Sequence, residues 1–387
     1  MPRIALVTPI LPLPADPTRG RFIYETARAL ARIADVRVFL QQVRYLTIPG
    51  VRPRTFVPEL AGDDHRLDGI ELESLTYPAA PVVSRGINGL MAARALLPRV
   101  RRFRPDLLLG YWVYPDGFAA LRVARRLGVP CVIGALGSDI HVRSGLNTVL
   151  TRHVIQRCDA LLTVSEAMRQ YAIGQFGAGP ERTTTIVNGF NTSIFRPLPQ
   201  AESRRMLGIA PDAEQIVYVG RLVETKGLVE LLDAFGALVL RRPALRLALV
   251  GDGVMRERLT RMIGERGLRQ RVWMPGGLPP EQVARWVSAS NLLTLPSWSE
   301  GYPNVVVEAI ACDRPVVATD VGGTREILDE SCGALIPARD ARALEQALEA
   351  TLQRRWDAGA LARTISRSWD DVARETLAVC DAVRSRP

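Results

Sequence analysis

The chain has 387 residues, of which 47% are hydrophobic and 23% charged, and its formal net charge at pH 7 is +10. This length is too great for one ordinary hydrophobic core and fits two domains. No apolar stretch reaches the ~18 to 20 residues that span a bilayer, and the N-terminus lacks the apolar core of a signal peptide. We therefore expect a cytoplasmic protein. The five scattered cysteines lack metal-ligand spacing, which favours reduced thiols over a zinc site or a disulfide framework.

Positive charge is concentrated in the first half of the chain. Residues 1–195 hold 24 Arg against 15 Asp and Glu, whereas the remaining residues hold 26 Arg and Lys against 25 Asp and Glu. Arginines cluster at 99–104 and 122–126. This basic surface either faces anionic lipid on the inner side of a membrane, faces a charged acceptor, or is simply solvated. Nucleic acid is not expected as a partner, because no nucleic-acid motif accompanies the charge.

Predicted strands and helices alternate twice along the chain. In the first half, strands are predicted at 3–8, 36–40, 106–110, 131–134 and 160–164, and helices at 22–33, 117–127 and 166–176. In the second half, strands are predicted at 216–219, 246–250, 272–274, 292–295 and 316–318, and helices at 228–241, 254–266, 282–288 and 305–311. Alternation of this kind indicates an α/β protein with two doubly wound parallel sheets. The turn-rich stretch 188–199 is the predicted hinge, and ligands are expected beyond the carboxyl ends of the strands.

A single lysine stands among the 50 lysine and arginine residues. It is Lys226, in the segment Gly220-Arg221-Leu222-Val223-Glu224-Thr225-Lys226-Gly227 after predicted strand 216–219. Ammonium is a compact point charge that suits phosphate, whereas guanidinium is a wide planar fork. Gly220 lets the backbone approach a ligand closely, so Arg221 and Lys226 together are candidates to neutralise a diphosphate. The alternative is a solvent-exposed lysine without a role.

Two glutamates follow predicted strand 292–295 at a spacing of eight residues. Glu308 lies in the apolar run 305–311, where a buried carboxylate without a partner would be costly. We therefore expect it to meet a polar partner such as a pair of sugar hydroxyls, unless it faces solvent. Glu300, the adjacent Gly301 and the helix N-terminus at Asn304 and Val305 predict a pocket for a phosphate and a sugar.

These segments, taken in order, resemble the donor domain of the family 4 retaining glycosyltransferases, also described as glycosyl transferases group 1. The resemblance covers nearly all of residues 186–337, and its Glu-x7-Glu element is specific. It is carried by Gly220-Arg221-Leu222 with Lys226-Gly227, Val250-Gly251-Asp252-Gly253, Glu300-Gly301 with Glu308-Ala309, Arg314-Pro315-Val316-Val317, and Val321-Gly322-Gly323 with Glu326. Asn188-Gly189 with Phe195 and Pro197 is similar to the family's hinge motif.

The resemblance implies a GT-B fold, in which two Rossmann-like domains face each other across a cleft. Residues 1–190 would bind the acceptor, completed by a C-terminal helix within 369–387, and residues 191–368 would bind the donor. The implied reaction is metal-independent transfer of a hexose, with retention, from a UDP- or GDP-linked sugar to a glycan or lipid-linked acceptor. Cell-envelope or exopolysaccharide assembly is the expected setting, with no separate cofactor. The alternatives are a sugar-nucleotide epimerase of similar fold and a basic membrane-surface binding module.

Site residues follow from the resemblance by position. Arg221 and Lys226 would bind the donor diphosphate, Glu308 the ribose hydroxyls, and Glu300 the transferred sugar. Other donor contacts are expected at Gly220, Gly301, Tyr302, Asn304 and Val305, and the base is expected beside Trp273 and Met274. The leaving diphosphate would help to deprotonate the acceptor, so stabilising its charge would be the main catalytic task of Lys226.

The first half departs from the family pattern in its glycine loop and reaction-centre loop. Gly20 matches one glycine of a Gly-Gly pair that often meets the donor phosphate, and neighbouring Arg19 or Arg21 would compensate for the other. Asp139 matches a Gly-x-Asp motif near the reaction centre and is the preferred acceptor-side residue over His141.

Three further positions are ambiguous from the sequence. Trp112 and Tyr114 follow predicted strand 106–110 and either stack on the acceptor sugar or pack in the core. Asp313 stands where the family usually has glycine, which predicts an unusual turn after the helix of Glu308.

Overall fold

The computed structural model describes residues 1–13, 16, 19–45, 65–79, 86–141 and 145–385. Thr18, beside the predicted glycine loop, lies outside the described residues. The chain forms two compact units. We call Met1–Gly189 together with Trp369–Pro387 the first unit, and Phe190–Ser368 the second unit. Each unit is built on its own parallel sheet, so the predicted α/β class with two doubly wound domains is confirmed.

The described part of the first unit contains a seven-stranded parallel sheet flanked by helices. Its strands are β1 (Arg3–Thr8), β2 (Asp35–Tyr45), β3 (Glu71–Ala79), β4 (Leu107–Tyr111), β5 (Cys131–Ala135), β6 (Ala160–Thr163) and β7 (Thr183–Thr185). Its helices before the hinge are α1 (Arg21–Leu30), α2 (Asn88–Phe103), α3 (Phe118–Leu127), α4 (Ser138–His141), α5 (Leu146–Arg157) and α6 (Glu166–Phe176). The strand order is β3-β2-β1-β4-β5-β6-β7.

The central strands are continuous apolar runs, as expected where helices cover both faces of a parallel sheet. Residues 4–7 of β1 and 107–109 of β4 are fully buried. The sequence did not predict β3 or α2. Strand β3 lies at the sheet edge and contains Pro78, which only an edge strand tolerates. Helix α2 contains Pro98, which argues against a helix when the sequence is read locally.

The second unit is described throughout and contains a six-stranded parallel sheet. Its strands are β8 (Glu214–Val219), β9 (Leu245–Val250), β10 (Val272–Gly276), β11 (Leu292–Leu295), β12 (Val316–Thr319) and β13 (Gly333–Ile336). Its helices are α7 (Gln200–Leu207), α8 (Leu228–Val239), α9 (Arg256–Glu265), α10 (Pro280–Ala289), α11 (Asn304–Ala311) and α12 (Ala341–Gln353). The strand order is β10-β9-β8-β11-β12-β13.

The strand order reverses between β8 and β11, which pair directly through Ile216 with Leu292 and Val217 with Leu293. From β8 the chain crosses to β9, and from β11 it crosses to β12, so the two connections run toward opposite edges of the sheet. A crevice at the carboxyl ends of such strands is where open α/β sheets bind ligands. The loops after β8 and β11 contain Lys226 and Glu300.

The last helix, α13 (Trp369–Arg384), returns to the first unit and packs against α1. Its buried side chains include Val372, Ala373 and Cys380, which join the core around β1 and β4. Arg32 and Asp370 form an ion pair at this contact.

All five cysteines are free and buried, as predicted for reduced structural thiols. In the described part of the chain, no helix combines the length and apolar character needed to cross a membrane.

Candidate active site

The lysine loop, residues 220–227, joins β8 to α8. It ends in a short 3₁₀ turn, Glu224–Lys226, in which the Lys226 amide donates to the Val223 carbonyl at 3.1 Å. Gly227 follows with φ of +65°. A Cβ atom at Gly227 would lie 2.0 Å from the Pro296 carbonyl oxygen, so no larger residue fits without movement of the backbone. The lysine loop therefore packs directly against the backbone that follows β11.

The glutamate loop, residues 296–303, joins β11 to α11. The Trp298 amide donates to the Thr225 carbonyl at 2.8 Å, and the Trp298 indole donates to Glu230 at 3.0 Å. On its other side, the Gly301 carbonyl accepts from the Gly323 amide at 3.0 Å. These bonds fix the glutamate loop against both the lysine loop and the segment after β12.

Lys226 and Glu300 meet between the two loops. The Lys226 Nζ atom lies 2.5 Å from Glu300 Oε1, and only 16% and 13% of the two side chains are exposed. The alternative interpretation of Lys226 as a solvent-exposed side chain is therefore wrong. An ammonium has three donors, and Glu300 takes one of them, so Lys226 can bind a second oxygen-bearing group while it holds the carboxylate.

Tyr218 is bonded to Arg221 and lies within the electrostatic influence of Glu300. Its hydroxyl donates to the Arg221 carbonyl at 2.8 Å, and its ring is fully buried. Burial raises the pKa of Tyr218, the charge of Glu300 raises it further, and the charge of Arg221 lowers it. The Arg221 side chain is exposed and forms no ion pair with the described residues. Its guanidinium is accordingly available to an anion.

Glu308 lies on α11, four residues after Asn304, which begins the helix. Its neighbours Val307 and Ala309 are buried, whereas Glu308 is half-buried. The carboxylate is thus neither enclosed in the core nor fully solvated. Asn304 and Val305 are half-buried at the N-terminus of α11, where backbone N–H groups and the helix dipole favour negative charge.

Tyr302 stands between Glu300 and α11. Burial raises the pKa of Tyr302 to about 12, Arg367 lowers it, and Glu326 raises it. The phenol is therefore a neutral donor at physiological pH.

Trp273 and Met274 lie on the edge strand β10. Trp273 is 42% exposed, and the Met274 carbonyl accepts from Arg256 at 2.9 Å. Backbone hydrogen bonds connect β10 to the lysine loop through the end of β9. The Gly251 amide donates to the Gly276 carbonyl at 2.8 Å, and the Gly220 amide donates to the Val250 carbonyl at 3.0 Å. Within the second unit, neither Trp273 nor Met274 forms a hydrogen bond with Lys226.

In the first unit, Asp139 is fully buried and organises two loops. Its Oδ1 accepts from the Leu136 and Gly137 amides at 2.9 and 2.8 Å, and its Oδ2 accepts from the Val113 amide at 3.1 Å. Both carboxylate oxygens are used to hold backbone. This geometry favours a positioning role for Asp139 over direct proton transfer.

His141 lies at the end of α4, half-buried, with its ring centroid 4.5 Å from that of Tyr171. Burial lowers the pKa of His141, and the charge of Asp139 opposes that shift.

Gly20 is buried, and its carbonyl accepts from the Ile23 and Tyr24 amides at the start of α1. Arg21 forms an ion pair with Glu25 at 2.7 Å. Arg19 donates to the Pro9 carbonyl at 3.0 Å, and burial lowers its pKa while Asp16 raises it. Arg21 is thus held in an ion pair by a carboxylate of its own helix, whereas Arg19 feels the charge of Asp16 without forming an ion pair with the described residues.

The two aromatic residues after β4 have different environments. Tyr114 is 2% exposed and packs edge-on against Phe118 with ring centroids 5.9 Å apart, which favours core packing. Trp112 is half-buried with φ of +79°, a rare backbone conformation for a bulky residue. Strain of this kind is concentrated at functional sites.

Two contributors to the site were not predicted. From the local sequence, Tyr218 is indistinguishable from the other apolar residues of β8. Trp298 is likewise indistinguishable from an ordinary aromatic residue of a loop. The ring of Trp298 is covered by Arg339 at 4.2 Å. No sequence signal identified the long-range partners of either residue. Among the described residues, no group of three or more His, Cys, Asp or Glu side chains is arranged to hold a metal ion.

Comparison with known proteins identifies the family. Residues 199–367 match the family model described as glycosyl transferases group 1, and residues 20–194 match the one described as glycosyltransferase family 4. The D-inositol 3-phosphate glycosyltransferase of Thermobispora bispora is 32% identical over 83% of this chain and 78% of that protein. The chain belongs to the family 4, or group 1, glycosyltransferases.

Two other known proteins are similar over most of the chain. The TuaC protein of Bacillus subtilis, assigned as a glycosyltransferase of teichuronic acid biosynthesis, is 29% identical over 72% of this chain and 73% of its own length. The structure of Anabaena HepE in complex with UDP-glucose is similar in fold, with a TM-score of 0.72, 20% identity, and coverage of 99% of this chain and 98% of that one. These similarities confirm the family and the fold that the motifs predicted. They also confirm that the protein is a glycosyltransferase, so the epimerase alternative is wrong.

Proposed function

We propose that this glycosyltransferase moves a hexose, with retention of configuration, from a nucleotide-diphosphate sugar to a glycan or lipid-linked acceptor. The observation that carries the proposal is the Lys226–Glu300 pair, 2.5 Å apart, at the point where the strand order of the second unit reverses. This position is where open α/β sheets bind nucleotides. The pair offers a cation for a phosphate and a carboxylate for sugar hydroxyls side by side.

Lys226 and Arg221 would bind the donor diphosphate. As the bond between the sugar and the diphosphate breaks, negative charge develops on the leaving oxygen, and fixed cations near that oxygen lower the barrier. Lys226 is already held by Glu300, so little reorganisation is needed when the donor binds. The two cations supply the charge stabilisation themselves, which supports metal-independent transfer.

The sugar and the nucleoside would lie on either side of the diphosphate. Glu300, with the backbone at Gly301, Tyr302, Asn304 and Val305, would bind the transferred sugar. Glu308 would accept hydrogen bonds from the ribose. The base would lie against β10 at Trp273 and Met274, with Gly220 allowing close approach of the lysine loop. A uridine or guanosine donor fits this arrangement, and the binding of UDP-glucose by HepE supports the uridine donor.

Acceptor binding is assigned to the first unit. Gly20 would allow the backbone before α1 to approach the substrate. Asp139 would position the loops at Val113 and Leu136–Gly137 rather than remove a proton, since its oxygens already accept backbone N–H groups. The leaving diphosphate would then take the acceptor proton on the same face of the sugar, which gives retention.

Cell-envelope or exopolysaccharide assembly is the proposed setting. The similarity to TuaC supports a polysaccharide acceptor. The exposed arginines of α2 and α3 support peripheral contact with an anionic membrane, where lipid-linked acceptors would be presented.

The test is a screen of nucleotide sugars by thermal shift and by product formation, followed by NMR of the anomeric configuration of the product. A UDP- or GDP-sugar should raise the melting temperature and support transfer with retention. Lys226→Ala should lower kcat by roughly 100- to 1,000-fold. Glu224→Gln, on the same turn but with an exposed side chain 3.8 Å from Arg258, is the matched control and should leave kcat unchanged. Normal turnover in Lys226→Ala, or an inverted product, would contradict the proposal.

A further inference from the structure

A polar cavity of about 230 Å³ lies at the amino-terminal edge of the second unit's sheet. Asn291 directly precedes β11 and Arg314 lies two residues before β12, while Gln200 begins α7 and Asp357 follows α12. The lysine and glutamate loops lie at the carboxyl ends of β8 and β11, which is the opposite edge of the same sheet. The cavity is therefore separate from the candidate active site.

The cavity presents unused hydrogen-bond donors. Arg314 donates through Nε to the Ser288 carbonyl at 3.1 Å and through Nη1 to the Asp313 carbonyl at 3.2 Å. Its Nη2 group has no partner in the second unit. Asn291 uses its side-chain oxygen to accept from Arg204 at 2.9 Å and from the Gln215 amide at 2.8 Å, which leaves its NH₂ group unused.

The same cavity presents unused acceptors. Gln200 donates its side-chain NH₂ to the Ser290 carbonyl at 2.8 Å, and its amide oxygen is left without a partner. Asp357 has an exposed carboxylate that forms neither a hydrogen bond nor an ion pair in the second unit.

Asp313 fixes the shape of this cavity. It has φ of +61°, at the position where the family usually has glycine. Its carboxylate accepts from the Gly359 amide at 2.7 Å and the Ala362 amide at 3.5 Å. The side chain that replaces glycine therefore ties down the turn that carries Asp357, which no glycine could do.

The chemistry of the lining selects among ligand classes. An inorganic anion would be repelled by the carboxylates of Asp313 and Asp357, and a nucleotide needs more room, since drug-sized ligands occupy pockets of ~300 to 1,000 Å³. A sugar hydroxyl both donates and accepts, so neighbouring hydroxyls match a mixed set of donors and acceptors. We propose that this cavity binds one residue of a neutral saccharide, as a second carbohydrate site remote from the donor. This proposal does not depend on the donor assignment.

Trp356 lines the cavity and provides a local probe. The protein is labelled with 5-fluorotryptophan, and its six tryptophan resonances are followed by ¹⁹F NMR, with Trp356→Phe assigning the relevant signal. Glucose, galactose, mannose and N-acetylglucosamine are titrated at millimolar concentrations. At least one of them should shift the Trp356 resonance in a saturable manner without shifting that of Trp273 on β10.

Variants connect the shift to the lining. Asp357→Ala and, separately, Gln200→Ala should each weaken the saturable shift by roughly fivefold to tenfold. Glu281→Gln, an exposed acid on α10, is the charge-matched control and should bind like the wild type. Lys226→Ala should retain the shift even where transfer is lost, so failure of this site and failure of the proposed donor site are distinguishable. The proposal is overturned if no sugar shifts Trp356, if both lining variants bind normally, or if inorganic phosphate produces the same shift.

Discussion

At the scale of single residues, the identity of Lys226 has a physical reason. A chain with 49 arginines keeps its one lysine where the side chain meets Glu300 at 2.5 Å in a mostly enclosed position. A guanidinium there would offer Glu300 two parallel N–H groups and occupy both carboxylate oxygens. An ammonium occupies one oxygen and leaves the other for a sugar hydroxyl.

Lys226→Arg tests this reason directly. We expect kcat to fall by roughly 100-fold, because Glu300 would be held by the guanidinium and the leaving group would lose a well-placed cation. Steady-state kinetics with the donor found in the screen measures the effect. If Lys226→Arg turns over like the wild type, the lysine marks the site but is not required as lysine.

His141 should make stability depend on pH. Burial lowers the pKa of His141 below its ordinary 6.5, so on acidification the unfolded chain takes up this proton before the folded chain does. The free energy of unfolding should therefore fall as the pH drops below about 6.5. His141→Gln should reduce this loss of unfolding free energy, which urea unfolding curves between pH 5 and 6.5 measure. At pH 8, where the histidine is neutral in both states, the difference between the variant and the wild type reports only the packing of His141 against Tyr171. An unchanged slope between pH 6.5 and 5 would contradict this prediction.

The sequence singled out Lys226, Arg221, Glu300 and Glu308 as candidates because each stands in a recognisable local motif. It did not identify the direct contact between Lys226 and Glu300, which are 74 residues apart. Which carboxylate meets which cation depends on tertiary packing, and no local pattern encodes it. The same limit applies to Asp139, whose motif suggested chemistry although its oxygens hold three backbone amides.

At the scale of elements, the alternation of strands and helices predicted both sheets but not every member. Buried central strands such as β1 and β11 have strong apolar signals, whereas edge strand β3 and proline-containing α2 do not. The site depends on the central strands, since the two loops that matter follow β8 and β11. Hence the strands that position the candidate site were predicted better than the periphery of the sheets.

Contact between the lysine and glutamate loops can be tested at Gly227. Gly227→Ala should destabilise the second unit by more than the ~1 to 2 kcal/mol of left-handed strain, because its Cβ would meet the Pro296 carbonyl at 2.0 Å. It should also lower transfer, since Lys226 is the preceding residue. Thermal unfolding and kcat are measured together.

Gly267→Ala is the matched control for backbone strain. Gly267 has φ of +68° in the same unit, with nothing within 4 Å of an added Cβ atom. This variant should show only the strain of about 1 to 2 kcal/mol and normal transfer. Equal destabilisation in the two variants would indicate that the close approach to Pro296 does not constrain the lysine loop.

At the scale of the whole molecule, charge is divided between the units as the sequence indicates. The excess of arginine lies in residues 1–195, and α2 and α3 carry part of it on exposed positions. Arg99 and Arg125 are paired with Glu73 and Asp159 at 2.6 and 3.2 Å. Five exposed arginines on these two helices form no ion pair with the described residues: Arg94, Arg101, Arg102, Arg122 and Arg126.

These unpaired arginines should bind anionic membranes if the acceptor is lipid-linked. Each basic residue near an anionic surface contributes about 1 kcal/mol, so Arg101→Gln with Arg102→Gln should weaken co-sedimentation with phosphatidylglycerol vesicles by roughly 10- to 30-fold at low salt. Binding should also fall as salt rises, because screening shortens the range of the attraction. Arg261→Gln with Arg355→Gln removes the same charge from exposed positions of the second unit and should leave vesicle binding unchanged. Equal losses of vesicle binding in the two double variants would mean that the net charge of the protein, and not this face of the first unit, attracts the membrane. Binding that does not change with salt concentration would exclude the electrostatic mechanism.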